Sequence, residues 1–133
     1  MSDFVLKDSG SRQEFKSGSQ RDNASGKGRF DLLPFYALFR LAKIYEVGAL
    51  KYLPNNWRKG QPLSRYLDSA FRHLVKGAAG WKDEDHFAQA IWNIAGIIET
   101  KKMIELGKLP PELNDLNDFI PMWEEKPIEN VSK

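Results

Sequence analysis

From Phe30 onward the chain alternates stretches of helical periodicity with short polar breaks. Leu38, Leu41, Ala42 and Tyr45 recur at steps of three and four, which places them on one face of a helix. Asp31 and Pro34 mark its start, because a proline in the first turn lacks only an N–H that has no partner there. This first helix is expected to run to about Gly48, or on to Tyr52. Leu53-Pro54-Asn55-Asn56-Trp57 and Arg58-Lys59-Gly60-Gln61-Pro62 follow, and their prolines, asparagines and glycine predict a loop. A second helix starts at Pro62 or Ser64. Leu63, Tyr66, Leu67, Ala70, Phe71, Leu74 and Val75 form its apolar face, and Gly77 and Gly80 end it.

The acidic run Asp83-Glu84-Asp85 suits the positive end of a third helix. That helix is expected to reach Leu106, with Gly107 as its stop and Pro110-Pro111 behind it. Phe87, Ala90, Ile91, Ile94, Ala95, Ile98 and Ile104 make it apolar over a wide arc, as expected of a helix packed on more than one side. A short helix is expected at 111–117, then a tail whose Phe119, Ile120, Met122 and Trp123 dock on the helices or on another subunit. Residues 1–28 show neither helical nor strand period, and no strand of convincing alternation occurs elsewhere. They predict a flexible arm, or one that orders over a ligand or a neighbouring subunit, since Arg21, Lys27 and Arg29 are spaced among glycines. The expected fold is all-α. It is an antiparallel array of three main helices plus a short C-terminal helix, divided into an arm (1–28), a helical core (29–107) and a tail (108–133).

Composition narrows the chemistry. The 133 residues include no cysteine, which excludes a disulfide framework, a thiolate metal site and a cysteine nucleophile. No apolar run approaches the length of a membrane helix and no signal-peptide core is present, so a soluble, cytoplasmic protein is expected. Net charge is +2, which argues against a nucleic-acid partner and suits a small anion. The front two thirds are mildly basic and the tail mildly acidic.

Polar residues stand where an amphipathic pattern would not ask for them. Glu46 sits late in the first helix, against the macrodipole, where it is either a surface partner of Lys43 or Lys51 or an acid facing a site. Arg72 has the spacing of a simple ion pair with Asp68, and His73 beside it is either structural or a ligand. His86, Gln89, Ala90 and Asn93 share a face, continued by Gly96, so small side chains lie beside polar ones and leave room for a ligand or a close helix crossing. Asp83, Glu84 and Asp85 either cap a helix, with Asp83 as the cap, or hold a hard cation. Carboxylates for metal, histidines for polar or proton work and cations for phosphate together make the composition of a phosphate-ester or nucleotide site.

Several short runs carry a resemblance: Ser17-Gly18-Ser19-Gln20-Arg21-Asp22, Gly26-Lys27-Gly28-Arg29-Phe30-Asp31-Leu32-Leu33-Pro34, Gly48-Ala49-Leu50-Lys51-Tyr52, Asn56-Trp57, Arg72-His73-Leu74, Asp83-Glu84-Asp85-His86 and Trp92-Asn93. Over about residues 17–100 the chain resembles the dATP/dGTP diphosphohydrolase N-terminal-like family, common in phage genomes, and is similar to the MazG-type all-α nucleotide pyrophosphohydrolases. The resemblance implies a helical homo-oligomer, in the host cytoplasm if phage-encoded, whose core binds a nucleoside triphosphate. It implies Mg²⁺-dependent hydrolysis of a purine (deoxy)nucleotide to monophosphate and pyrophosphate. The carboxylates of MazG-type helices are absent here: Arg72-His73 stands where paired glutamates would be sought, and His86 and Gln89 where a glutamate and an aspartate would be. Carried onto this sequence, Glu46, Asp83 and Asp85 would hold Mg²⁺. His73 and His86 would orient phosphate or water, with Glu46 also catalytic. Arg21, Lys27, Arg29, Lys51 and Arg72 would neutralise phosphate, Tyr52 or Trp57 would stack on the base, and Asn56 or Asn93 would bond base or sugar. The missing carboxylates leave a second outcome, a phage protein that binds and sequesters a signalling nucleotide without turnover.

Overall fold

The structure, a computed structural model, describes residues 5–119. Ile120, Met122 and Trp123 of the expected tail lie outside the described residues. The chain divides into two compact units, Met1–Pro34 and Phe35–Lys133.

Within the first unit the expected featureless arm holds a small hairpin. Strands β1 (Arg12–Glu14) and β2 (Gln20–Asp22) pair antiparallel, with Arg12 opposite Asp22 and Glu14 opposite Gln20. Both strands are wholly polar and largely exposed, so no hydrophobic alternation announces them. Turn and side-chain bonds hold the hairpin instead. Gly18, at φ +87°, donates to the Phe15 carbonyl at 2.9 Å, and Phe15 donates to Ser19 at 2.9 Å. The Asp22 carboxylate accepts from the Ser9 N–H and from Lys27 Nζ at 2.9 Å. A 3₁₀ turn at Phe30–Leu32 takes in Asp31, which pairs with Arg29 rather than capping a helix.

The second unit is built from α1 (Phe35–Tyr52), α2 (Leu63–Ala78), α3 (His86–Glu105) and the short α4 (Leu116–Phe119), with 3₁₀ turns at Asn56–Lys59 and Pro111–Leu113. Helix α3 packs against both α1 and α2, as its wide apolar arc predicts. Gly80 and Gly107 adopt positive φ just past the ends of α2 and α3, the left-handed geometry that suits glycine there. Pro62 occupies the N-cap of α2 but has no side chain to cap with. Asp115, far along the chain, supplies the missing acceptor: its carboxylate takes the Ser64 N–H at 2.8 Å and the Ser64 hydroxyl.

The buried set is small and partly polar. Leu63, Tyr66, Ala70, Ala88 and Ala90 are buried together with His73, His86, Asn93 and Thr100. An aromatic series, Trp57 on Tyr45, Tyr45 on Trp92 and Trp92 on Tyr66, links the 3₁₀ turn to all three main helices, with ring centroids 5.7–6.2 Å apart. The room expected beside Gly96 is filled by the Tyr66 ring: a Cβ built on Gly96 would lie 2.5 Å from Tyr66 Cε1. Much of the apolar face read on α2 and α3 is turned outward. Phe71, Leu74, Phe87, Ile91, Ile94 and Ile98 are all exposed, and with Leu67 and Ala90 they line a groove of about 520 Å³.

Candidate functional site

The start of α3 gathers the candidate chemistry. Among the three consecutive acids, Asp85 and not Asp83 is the N-cap, accepting from the Ala88 N–H at 3.3 Å. The same carboxylate is gripped by Arg40 of α1, with Nε at 2.8 Å and Nη2 on the other oxygen. This Arg40 contact, with the capped N–H, holds the Asp85 carboxyl below the usual carboxylate range. Both oxygens of Asp85, expected to hold metal, are engaged by a fork-shaped guanidinium.

Asp83, two residues earlier, places Oδ1 2.7 Å from His86 Nε2, and that bond lowers its pKa. The far nitrogen of the same ring, His86 Nδ1, lies 2.9 Å from His73 Nδ1 on α2. An ionised Asp83 only accepts, so His86 Nε2 carries a proton, and in the neutral tautomer that this fixes His86 Nδ1 presents its lone pair. His73 Nδ1–H then donates across the pair. Burial pushes the His73 imidazole down from its ordinary pKa, which keeps it neutral near pH 7. Both rings are buried, at 8 % and 2 % exposure. Glu84 completes the group: one ligand atom from each of His73, Glu84 and His86 falls within 4.8 Å of the others. Gln89 Nε2 donates to Glu84 Oε1 at 3.1 Å.

A pocket of about 440 Å³ opens beside this group, lined by Arg40, Gly77, Gly80, Trp81, Lys82, Glu84, Asp85, His86 and Phe87. The Trp81 indole stands edge-on to His86, with centroids 6.4 Å apart, and Lys76 Nζ lies 4.8 Å from its ring centre. The pocket therefore joins cations, an aromatic face and a carboxylate to the buried histidine pair.

Other expected site residues of the second unit lie outside this pocket. Glu46 is on the exposed surface of α1 and does not join Asp83 and Asp85 in a cluster; among the described residues the group close enough for one ion is His73, Glu84 and His86. The structure thus does not assemble the expected Mg²⁺ ligands. Asn93 is buried and donates to the Gln89 carbonyl at 2.8 Å, a bond within α3 rather than one offered to a nucleotide. Arg72 is exposed and reaches Asp68 and Ser69, each at 3.2 Å, the simple helix pair that its spacing allows. Lys51 and Tyr52 end α1, with Lys51 Nζ 5.0 Å from the Tyr52 ring centre. Asn56 and Trp57 begin the 3₁₀ turn, where Trp57 packs on Tyr45 and takes Arg58 over its ring at 5.1 Å. Arg21 is exposed on β2, and Lys27 and Arg29 are paired with Asp22 and Asp31, all in the N-terminal unit. Glu84 is read from the sequence only as one of three acids that cap a helix or hold a hard cation, and Arg40, Trp81 and Lys82 are not singled out as ligands. Trp81 and Lys82 carry one local signal, their proximity to the acidic run, and Arg40, 45 positions from Asp85, carries none.

The model of the family described as dATP/dGTP diphosphohydrolase, N-terminal, matches residues 17–107. That span contains β2, the three main helices and every residue lining the pocket. No curated protein and no solved structure matches the chain.

Proposed function

The chain belongs to the dATP/dGTP diphosphohydrolase N-terminal family, and on that premise we propose that it hydrolyses a purine (deoxy)nucleoside triphosphate to the monophosphate and pyrophosphate. The observation that carries this reading is the pocket at the start of α3, where Lys82, Arg40 and the Trp81 face meet the buried His73–His86 pair. Lys82 neutralises phosphate oxygens, Trp81 offers a stacking surface for the base, and His86, with one ring nitrogen on Asp83 and the other on His73, fixes the pocket wall beside them. Mg²⁺ enters as the counter-ion of the triphosphate.

The engagement of Asp83 by His86 and of Asp85 by Arg40 favours a second reading, in which a nucleotide is bound and kept intact. One experiment separates the two. The protein is incubated with a panel of purine and pyrimidine nucleotides, cyclic ones included, with Mg²⁺ or with EDTA. Filtrate and denatured sample are then chromatographed. Monophosphate plus pyrophosphate, lost in EDTA and reduced at least tenfold in Lys82→Ala and His86→Gln, is the expected result. Ligand that leaves the filtrate and returns intact on denaturation establishes sequestration. Absence of both removes the nucleotide reading.

The outward apolar groove supports a homo-oligomer, with α2 and α3 of a second copy covering Leu67, Phe71, Leu74, Ile91, Ile94 and Ile98. The chain's own buried apolar set is small beside this surface.

A further inference from the structure

We propose that His73, Glu84 and His86 form a site for a borderline divalent transition-metal ion of the zinc class, distinct from any Mg²⁺ carried by a nucleotide. The first support is the meeting of two buried imidazoles through the same ring atom, with Nδ1 to Nδ1 at 2.9 Å. Zinc–nitrogen bonds of ~2.0–2.1 Å drawn to two atoms at this separation subtend about 90°, so a small opening of the pair reaches tetrahedral geometry. The Glu84 carboxylate lies close enough to be the third ligand.

The outer contacts are a second, independent support. A ligating histidine characteristically donates its other ring N–H to a carboxylate, which fixes the tautomer that leaves the ligating lone pair free. His86 has that arrangement, with Nε2 on Asp83 and Nδ1 facing His73. Glu84 is steadied in the same way by the Gln89 amide. Binding requires one change of proton position: His73 shifts its ring proton from Nδ1 to Nε2, so both Nδ1 atoms become ligands and no net charge moves.

Donor chemistry decides the class of ion. Two imidazoles and one carboxylate suit zinc and its neighbours, whereas Mg²⁺ demands oxygen. Three protein ligands leave a coordination position open, and two of the three, Glu84 and His86, line the pocket. With two neutral rings and one carboxylate, a divalent ion keeps a net positive charge there, suited to a water or a phosphate oxygen.

This proposal does not rest on nucleotide hydrolysis, and its test uses no nucleotide. The full chain is stripped with chelator and titrated with Co²⁺, followed by its visible d–d absorption, and with Zn²⁺ against a chromophoric chelator. One equivalent per chain is expected, undisplaced by excess Mg²⁺. Glu84 is exposed, so Glu84→Gln keeps the fold, checked by circular dichroism, and is expected to lose at least tenfold in affinity. His86→Gln is expected to abolish the Co²⁺ spectrum. Asp83→Asn, acting through His86, is expected to weaken binding ~10–100-fold, while Glu105→Gln at the far end of α3 leaves it unchanged. Failure of the intact chain to bind either ion, or equal binding by Glu84→Gln and wild type, overturns the proposal and leaves the pair as a histidine–histidine hydrogen bond.

Discussion

Burial holds His73 neutral, and that has a measurable consequence for stability. Its pKa is lowered first by desolvation, then by Arg72, His86 and Lys76, against an opposing pull from Glu84. Below about pH 6.5, the ordinary imidazole value, the unfolded chain binds a proton that the folded chain resists. Stability is therefore complete above that pH and falls as pH drops toward the folded pKa. The lowered carboxyls of Asp83, Asp85 and Asp115 act in a separate window, below about pH 4. Urea unfolding is expected to show a midpoint that declines from pH 8 to pH 5, with a flatter decline in His73→Gln. An unchanged midpoint would mean that His73 is not resisting protonation. The two histidines were legible in the sequence as polar breaks in apolar helices. Which neighbouring acid does what was not. Asp83, Glu84 and Asp85 are adjacent, so a one-residue difference in helix start redistributes capping, histidine support and ligand geometry among them. The partner that decides the matter, Arg40, lies 45 positions away in sequence.

At the scale of elements, periodicity located all three main helices to within a few residues, because 3.6-residue spacing and glycine stops are local signals. The hairpin escaped because its strands carry no apolar residue and its stability lies in the Asp22 bonds and the Gly18 turn. Gly96 is the instructive intermediate case. Its smallness was visible, but what used the space was not: the buried Tyr66 ring crosses α3 there instead of a ligand. Gly96→Ala would gain helix propensity, but its Cβ would meet three Tyr66 ring atoms between 2.5 and 2.9 Å. A fully buried ring has little freedom to give way, so overpacking dominates. The expected net loss is about 1–3 kcal/mol, read as a lower thermal midpoint. A midpoint equal to or above wild type would show that Tyr66 can move. Gly77→Ala, facing the half-exposed Phe87 at 3.1 Å, is expected to cost less.

For the whole molecule, the apolar surface is the dominant feature. No helix among the described residues is long and apolar enough to cross a membrane, so another explanation is needed for the exposed Phe71, Leu74, Ile91, Ile94 and Ile98. Light scattering is expected to find more than one copy per particle, and Ile94→Glu, which puts a charge in the groove, to release helical monomers. A monomeric wild type would rule out a second copy as the cover. Helical periodicity could reveal these apolar faces but not which of them another surface covers, since one pattern serves a core and an interface alike. The Asp115 cap also bears on where the folding unit ends. The segment matched to the family stops at Gly107, after every residue of the pocket but before the carboxylate that satisfies the start of α2. A chain cut at that boundary would keep its chemistry and leave the Ser64 N–H to water, at a cost of about 1 kcal/mol. The segment after the pocket thus acts as a brace, steadying the helix that carries His73 from the end opposite its partner.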